Sequence, residues 1–198
     1  MPASDEELHR LLGQLLGSGD PFEVATGGHL MFCALTGLRP GEPGALRWDA
    51  APDQPGARLT ITREERSVAL LRVRRSKGGI NPAVVIHPAL EQFLARWRTY
   101  TAVAFAGSPW MFPHPRTPDR PLVPFGDTAE SHLARKLGEA AKAIGVPPRK
   151  PHAMRAYYVR VRRSQGIEDA TIAVELGQGS GPGLVVRTYG ERLAILGG

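Results

Sequence analysis

The hydrophobic period of this chain changes from helical to extended and back, and that change restricts the folds open to it. Before residue 36 and after residue 88 the apolar residues recur at helical spacing. Between them, residues 58–62, 67–74 and 80–87 form short runs rich in Leu, Ile, Val and Thr, separated by polar turns. Side chains share a face every 3.6 residues in a helix and every two in a strand, so the middle third predicts a three-stranded antiparallel sheet. Ser4-Asp5-Glu6-Glu7 ahead of Leu8, Leu11, Leu12, Leu15 and Leu16 predicts a capped amphipathic helix ended by Gly17 and Gly19. Residues 22–35 are apolar on most sides and predict a buried helix. Residues 88–100 predict another, with Leu90, Phe93, Leu94 and Trp97 inward. Residues 107–126 hold six prolines and predict a surface excursion. Asp127-Thr128-Ala129-Glu130 resembles a capping box, and Leu133, Leu137, Ala141 and Ile144 follow at helical spacing until Gly145-Val146-Pro147-Pro148. With no internal repeat, the expected fold class is mainly α with a small three-stranded antiparallel sheet (α+β), in one domain spanning residues 1–198.

At 198 residues and 42% hydrophobic the chain is long enough for one real core. Its 25 Lys plus Arg against 19 Asp plus Glu give +6, and all but four of the cations are arginine. The planar guanidinium fork pairs with phosphate oxygens where lysine acts as a point charge, so the balance favours a polyanionic partner. A basic protein without such a partner stays open on charge alone. Cys33, the one cysteine, has no internal disulfide partner and suits a small buried hydrophobe. No run of 18 apolar residues and no signal-peptide core is present, so the expected location is cytoplasmic, with no membrane. The six histidines lack metal-ligand spacing, and neither a metal nor a cofactor is expected.

Polar chemistry concentrates after Lys150. His152 and Arg155 lie at i and i+3 of a helical pattern, which places them at neighbouring points of one face, while Met154, Tyr157, Tyr158 and Val161 form a separate apolar face. A glycine-rich break at residues 178–183 and the isolated Tyr189 follow. Upstream, Pro40 suits the first turn of a helix beginning after Thr36-Gly37-Leu38, which would put Arg39 beside free N–H groups that attract phosphate. Pairing of Arg39 with Glu42 is the alternative. Ser76-Lys77-Gly78-Gly79 lifts Lys77 to a hairpin tip, either as a merely solvated lysine or as a functional one.

Together, PHAMR, LGQGS with Gln178 23 residues after Arg155, and Tyr189 11 residues after Gln178 resemble the C-terminal half of the tyrosine recombinase (phage integrase) catalytic domain. The block TGLRPGEPGALRW from Thr36 to Trp48 resembles the same family's first arginine motif, and the likeness spans about Ser4 to Arg192. The resemblance implies a tyrosine recombinase catalytic-domain fold and a site-specific recombinase or integrase that cleaves and rejoins DNA through a 3′-phosphotyrosyl intermediate. In that scheme Tyr189 is the nucleophile, Arg39 and Arg155 clamp the phosphate, Lys77 protonates the leaving 5′-oxygen, His152 assists proton transfer or bonds the phosphate, and Glu42 supports Arg39. Gln178 stands where the family usually has His or Trp; it can donate a hydrogen bond but cannot exchange a proton. Ala156 likewise replaces a frequent histidine. The implied partner is double-stranded DNA, with a homo-tetramer on DNA and a monomer or weak oligomer without it. The family's usual N-terminal DNA-binding domain is not matched within this chain, so a single catalytic domain is expected. The alternative is a degenerate, non-cleaving recombinase-like DNA-binding protein.

Overall fold

The computed structural model describes residues 5–63, 66–74, 83–126 and 130–177. Helix α1 (Asp5–Leu16) opens on three acidic residues, which suit the positive end of a helix, and buries Leu8, Leu11, Leu12 and Leu15. Asp20 then caps α2 (Pro21–Thr36), its carboxylate accepting from the Phe22 amide at 2.9 Å. The expected burial of this helix is observed, because it lies between two apolar clusters. Ala25, Leu30, Cys33 and Ala34 pack with the leucines of α1 and with Leu133, Leu137 and Met154. Phe32, with Leu38 beyond the helix end, packs with Leu71, Val84, Leu90, Trp97 and Phe112. Helix α2 is thus the central pillar that carries the site at its C-terminal end.

The predicted sheet forms as β1 (Arg58–Arg63), β2 (Arg66–Arg72) and β3 (Ala83–Val85), antiparallel in the order β1-β2-β3. Its register pairs Arg58 with Leu71 and Leu71 with Val84, which turns Leu71 into the second cluster. Strand β3 ends before the expected His87, because that residue is recruited to cap the next helix: Nδ1 accepts from the Leu90 amide at 3.3 Å and Nε2 donates to the Leu35 carbonyl at 3.1 Å. Helix α3 (Pro88–Ala104) buries Leu90, Leu94 and Trp97 as expected, while Phe93, also expected inward, is only half-buried; the helix runs one turn further, with Thr101 also buried and its hydroxyl bonded to the Trp97 carbonyl.

Residues 107–126 correct the expectation of a surface excursion. They form a hairpin, β4 (Pro113–His114) and β5 (Thr117–Pro121), and Met111, Phe112, Leu122 and Val123 are buried. Proline is tolerated in so short a hairpin because few of its amides need ladder partners. Trp97 Nε1 donates to the Met111 carbonyl at 2.7 Å, anchoring the segment to α3.

Helix α4 (Glu130–Ala143) buries Leu133, Leu137 and Ala141; Asp127, Thr128 and Ala129 of the expected capping box lie outside the described residues. Lys136 bonds Asp20 at 2.9 Å and Glu23 at 3.4 Å, tying α4 to the start of α2. Helices α5 (Ala153–Ser164) and α6 (Asp169–Glu175) complete the description. Among the described residues no helix is long and apolar enough to cross a membrane.

The crossing of α2 and α3 depends on Gly28. A Cβ there would stand 2.3 Å from the buried Trp97 ring, which is held by its own hydrogen bond and cannot yield cheaply. Gly28→Ala is therefore expected to destabilise the fold by about 1–3 kcal/mol despite alanine's better helix propensity. Chemical denaturation of both proteins checks this; equal stability would mean the two helices are less closely packed in solution.

Candidate functional site

The loop after α2 is the meeting point of the two arginine motifs. Helix α2 stops at Gly37, which adopts the left-handed conformation (φ 68°) and donates its N–H to the Cys33 carbonyl at 2.9 Å. A side chain at Gly37 would also meet Leu176 and Tyr158 at 2.6 and 2.7 Å, so both backbone and space require glycine. No helix starts at Pro40, which corrects that expectation. The chain instead turns through Arg39 to Glu42, and a single 3-10 turn follows from Pro43 to Ala45. The reason is Glu42. Its buried carboxylate accepts from the Arg39 amide at 2.8 Å, while the Glu42 amide donates to the Arg39 carbonyl at 2.9 Å, closing the turn on itself.

Arg39 does not therefore sit over free helix amides. Its Nη1 lies 3.3 Å from Glu42 Oε1, and 27% of the side chain is exposed. The paired and the anion-facing readings of Arg39 are compatible in this geometry, since a fully covered carboxylate orients a guanidinium whose outer part reaches solvent.

Arg155 reaches the same loop from α5. It is only 6% exposed, with Nη1 donating to the Gly37 carbonyl at 2.8 Å and Nη2 to the Leu176 carbonyl at 3.0 Å. Two carbonyls at the ends of α2 and α6 are thereby joined through one planar fork, a geometry lysine cannot reproduce. His152 precedes α5 at the cap position, is exposed, and makes no capping hydrogen bond with its side chain. The expectation that His152 and Arg155 share one face separate from packing needs correction: Arg155 is as inward as Met154, because the carbonyls it serves lie inside, whereas His152 faces out. Lys77, Gln178 and Tyr189 lie outside the described residues.

Sequence reasoning missed the group that locks α6 onto α5. Glu175 is buried and accepts from the Tyr158 hydroxyl at 2.8 Å, Arg162 Nε at 2.9 Å and Arg162 Nη2 at 2.5 Å. Leu176, whose carbonyl Arg155 holds, is the next residue. A seven-residue helix shows too little periodicity to be recognised, and a 13-residue separation across a turn leaves no local pairing signal. Tyr157 has the packing role expected of it, half-buried against the first cluster with its hydroxyl 3.0 Å from His9 Nε2 of α1, whereas the half-buried Tyr158 belongs to the Glu175 lock. Breaking the pair as Glu175→Gln is expected to cost about 3 kcal/mol, since one partner of a largely covered ion pair is left behind. Denaturant titration of the variant measures it, and a loss below the error of the experiment would show that α6 is held by packing alone.

Cys33 behaves as the small buried hydrophobe expected, its thiol pushed up by burial. Among the described residues no group of three or more His, Cys, Asp or Glu could hold a metal ion.

No protein-family model and no curated protein matches the sequence. Solved structures do match in fold. The lambda integrase catalytic core superposes with a TM-score of 0.62 at 19% identity, over 90% of this chain and 91% of that one. XerA recombinase gives 0.60 at 20% identity, over 97% of this chain and 63% of that one. A lambda integrase tetramer bound to a Holliday junction gives 0.62 at 18% identity, over 92% of this chain and 46% of that one. The chain thus spans less than two thirds of these two longer chains. Helices flanking a small three-stranded antiparallel sheet, with both arginine motifs converging on the end of α2, give this chain the tyrosine recombinase catalytic-domain fold.

Proposed function

We propose that this chain is a site-specific DNA recombinase or integrase that cuts and rejoins strands through a 3′-phosphotyrosyl intermediate. The observation that carries the proposal is the convergence of Arg39 and Arg155, 116 positions apart, on the turn at residues 37–42 of a fold shared with the lambda integrase catalytic core. In the proposed reaction the Tyr189 oxygen attacks the scissile phosphorus as its proton passes to His152 or solvent water, the bond to the 5′-oxygen breaks, and Lys77 delivers a proton to that oxygen. The covalent link retains the energy of the broken bond, so a second 5′-hydroxyl reverses the step without ATP. Positioning and charge stabilisation supply most of the rate in phosphoryl transfer, and here they fall to the arginines, with His152 at the exposed start of α5 and Gln178 as a further donor. Arg39 presents its outer edge to the phosphate while Arg155, mostly committed inward, holds the turn from behind.

The partner is double-stranded DNA, bound mainly through its phosphates, and the working assembly is a tetramer on two sites. Affinity is expected to fall steeply with salt, because each neutralised phosphate releases counterions. Binding isotherms over a salt series check this; a flat response would count against a phosphate-led interface. Activity is expected to persist in chelator, as the residues proposed need no metal.

The deciding experiment is covalent trapping on a nicked duplex that loses its 5′-hydroxyl fragment after cleavage, using DNA from the flanks of the gene. A denaturation-resistant protein–DNA band that vanishes in Tyr189→Phe supports the nucleophile and the reaction class together. Arg39→Ala is expected to slow band formation on the order of 10²- to 10³-fold, the usual effect of losing one donor to a developing oxyanion. Gln178 and Ala156 favour a second reading, a DNA-binding relative that no longer cleaves. Binding without any band would select it.

A further inference from the structure

Behind the arginine turn lies a histidine that the proposed chemistry does not use. His29, in the middle of α2, is completely buried, and its Nε2 stands 2.7 Å from the Pro40 carbonyl. A carbonyl can only accept, so Nε2 carries the proton and the ring is held in one tautomer. The other face is apolar: the Phe112 ring meets it edge-on with centroids 5.2 Å apart, and no hydrogen-bond partner reaches Nδ1 among the described residues. Cys33 lies one turn further along α2, and Glu42 lies in the turn itself.

Pro40 follows Arg39 directly, and it lacks an N–H, so its carbonyl is the one backbone polar group it offers. The turn is therefore held at four points: Gly37 by Arg155, the Arg39 amide by Glu42, Pro40 by His29, and Gly41 through the Gly126 amide at 3.2 Å. Removing the His29 donor leaves a buried carbonyl unpaired, which the backbone can relieve only by turning Pro40 and its neighbour outward.

We infer that His29 is a positioning residue that sets the height and direction of Arg39 through the Pro40 carbonyl. Its catalytic consequence rests on the recombinase reading above, whereas its structural consequence does not. Three measurements on the full chain separate the two. In the wild type, ¹⁵N shifts of the His29 ring are expected to show the Nε2-protonated form; the Nδ1-protonated form would overturn the inference without any variant. Amide exchange at Arg39, Gly41 and Glu42 is expected to quicken about tenfold in His29→Leu and to return toward wild type in His29→Gln, whose amide can donate from nearly the same place. Unchanged exchange in the leucine variant, or no recovery with glutamine, overturns the inference. In the trapping assay, His29→Leu is expected to slow covalent complex formation on the order of 10²-fold with DNA affinity unchanged, and His29→Gln to restore it. If the exchange results hold while the wild type traps no DNA, positioning stands and the cleavage reading falls.

Discussion

Arg155→Met is expected to lose about 3–5 kcal/mol of stability and, under the proposed recombinase function, all detectable cleavage. The stability loss comes from the two carbonyls the guanidinium serves, Gly37 at 2.8 Å and Leu176 at 3.0 Å, each of which gives up a charge-assisted bond in a buried setting. Activity would fall further than stability alone explains, because the same fork sets the end of α2 against α6. Arg155→Lys keeps the charge but offers a compact ammonium where a planar fork spans two acceptors, so it is expected to recover only part of the loss. Arg160→Met is the control: that guanidinium pairs with Asp5 at the surface, where salt and solvent weaken the interaction, and its removal should change little. Denaturant midpoints for the three variants check the ordering. Equal stability of Arg155→Met and Arg160→Met would mean that the inward bonds are not made in solution.

Acidification from neutral pH to about 4 is expected to remove about 3 kcal/mol of stability through His29 alone. Burial pulls its imidazole down to about 4 from an ordinary value of 6.5. The unfolded chain therefore takes up a proton before the folded chain does. The contribution is complete above 6.5 and is lost as the pH falls from 6.5 toward 4, at 1.36 kcal/mol per unit of difference. His114 and His132 act in the same direction, both lowered first by burial and then by the arginines, Lys136 and, for His114, His132 itself. Both rings pack edge-on against Phe22 at the start of α2, so their protonation loosens the hairpin and α4 together. Urea titrations at pH 7.5, 6 and 5 on the wild type and His29→Gln check the assignment. The glutamine variant should show the shallower decline, and parallel curves would place the acid sensitivity elsewhere.

The helices and the sheet were legible because their signals are local. Leu8, Leu11, Leu12 and Leu15 announce a helix face without any knowledge of what covers it, and the alternating run at Arg58–Arg63 announces a strand. The hairpin at Pro113–His114 and Thr117–Pro121 was not legible, because six prolines mask the burial of Met111 and Phe112 in the cluster of Trp97 and of Leu122 and Val123 in the cluster of the α1 and α4 leucines. The turn at Arg39 was misread for a related reason. Pro40 is equally suited to a helix start and a tight turn, and the deciding carboxylate of Glu42 acts on the amide three residues before it.

Residue identity and spacing alone determined that this chain is mainly α with a small antiparallel sheet and offered Glu42 as the partner of Arg39, whereas only the family resemblance placed Arg155 with them. Spacing suffices there because propensity, periodicity and a short turn are set within a few residues. Only the tertiary structure decided that Arg155 points inward while His152 faces solvent, that Glu175 and Arg162 lock α6 in place, and that His29 supports the arginine turn from beneath. Those outcomes depend on which carbonyls and which apolar rings arrive at one point from segments up to 118 residues apart, and the cost of burying a polar group is settled only where its partner is found.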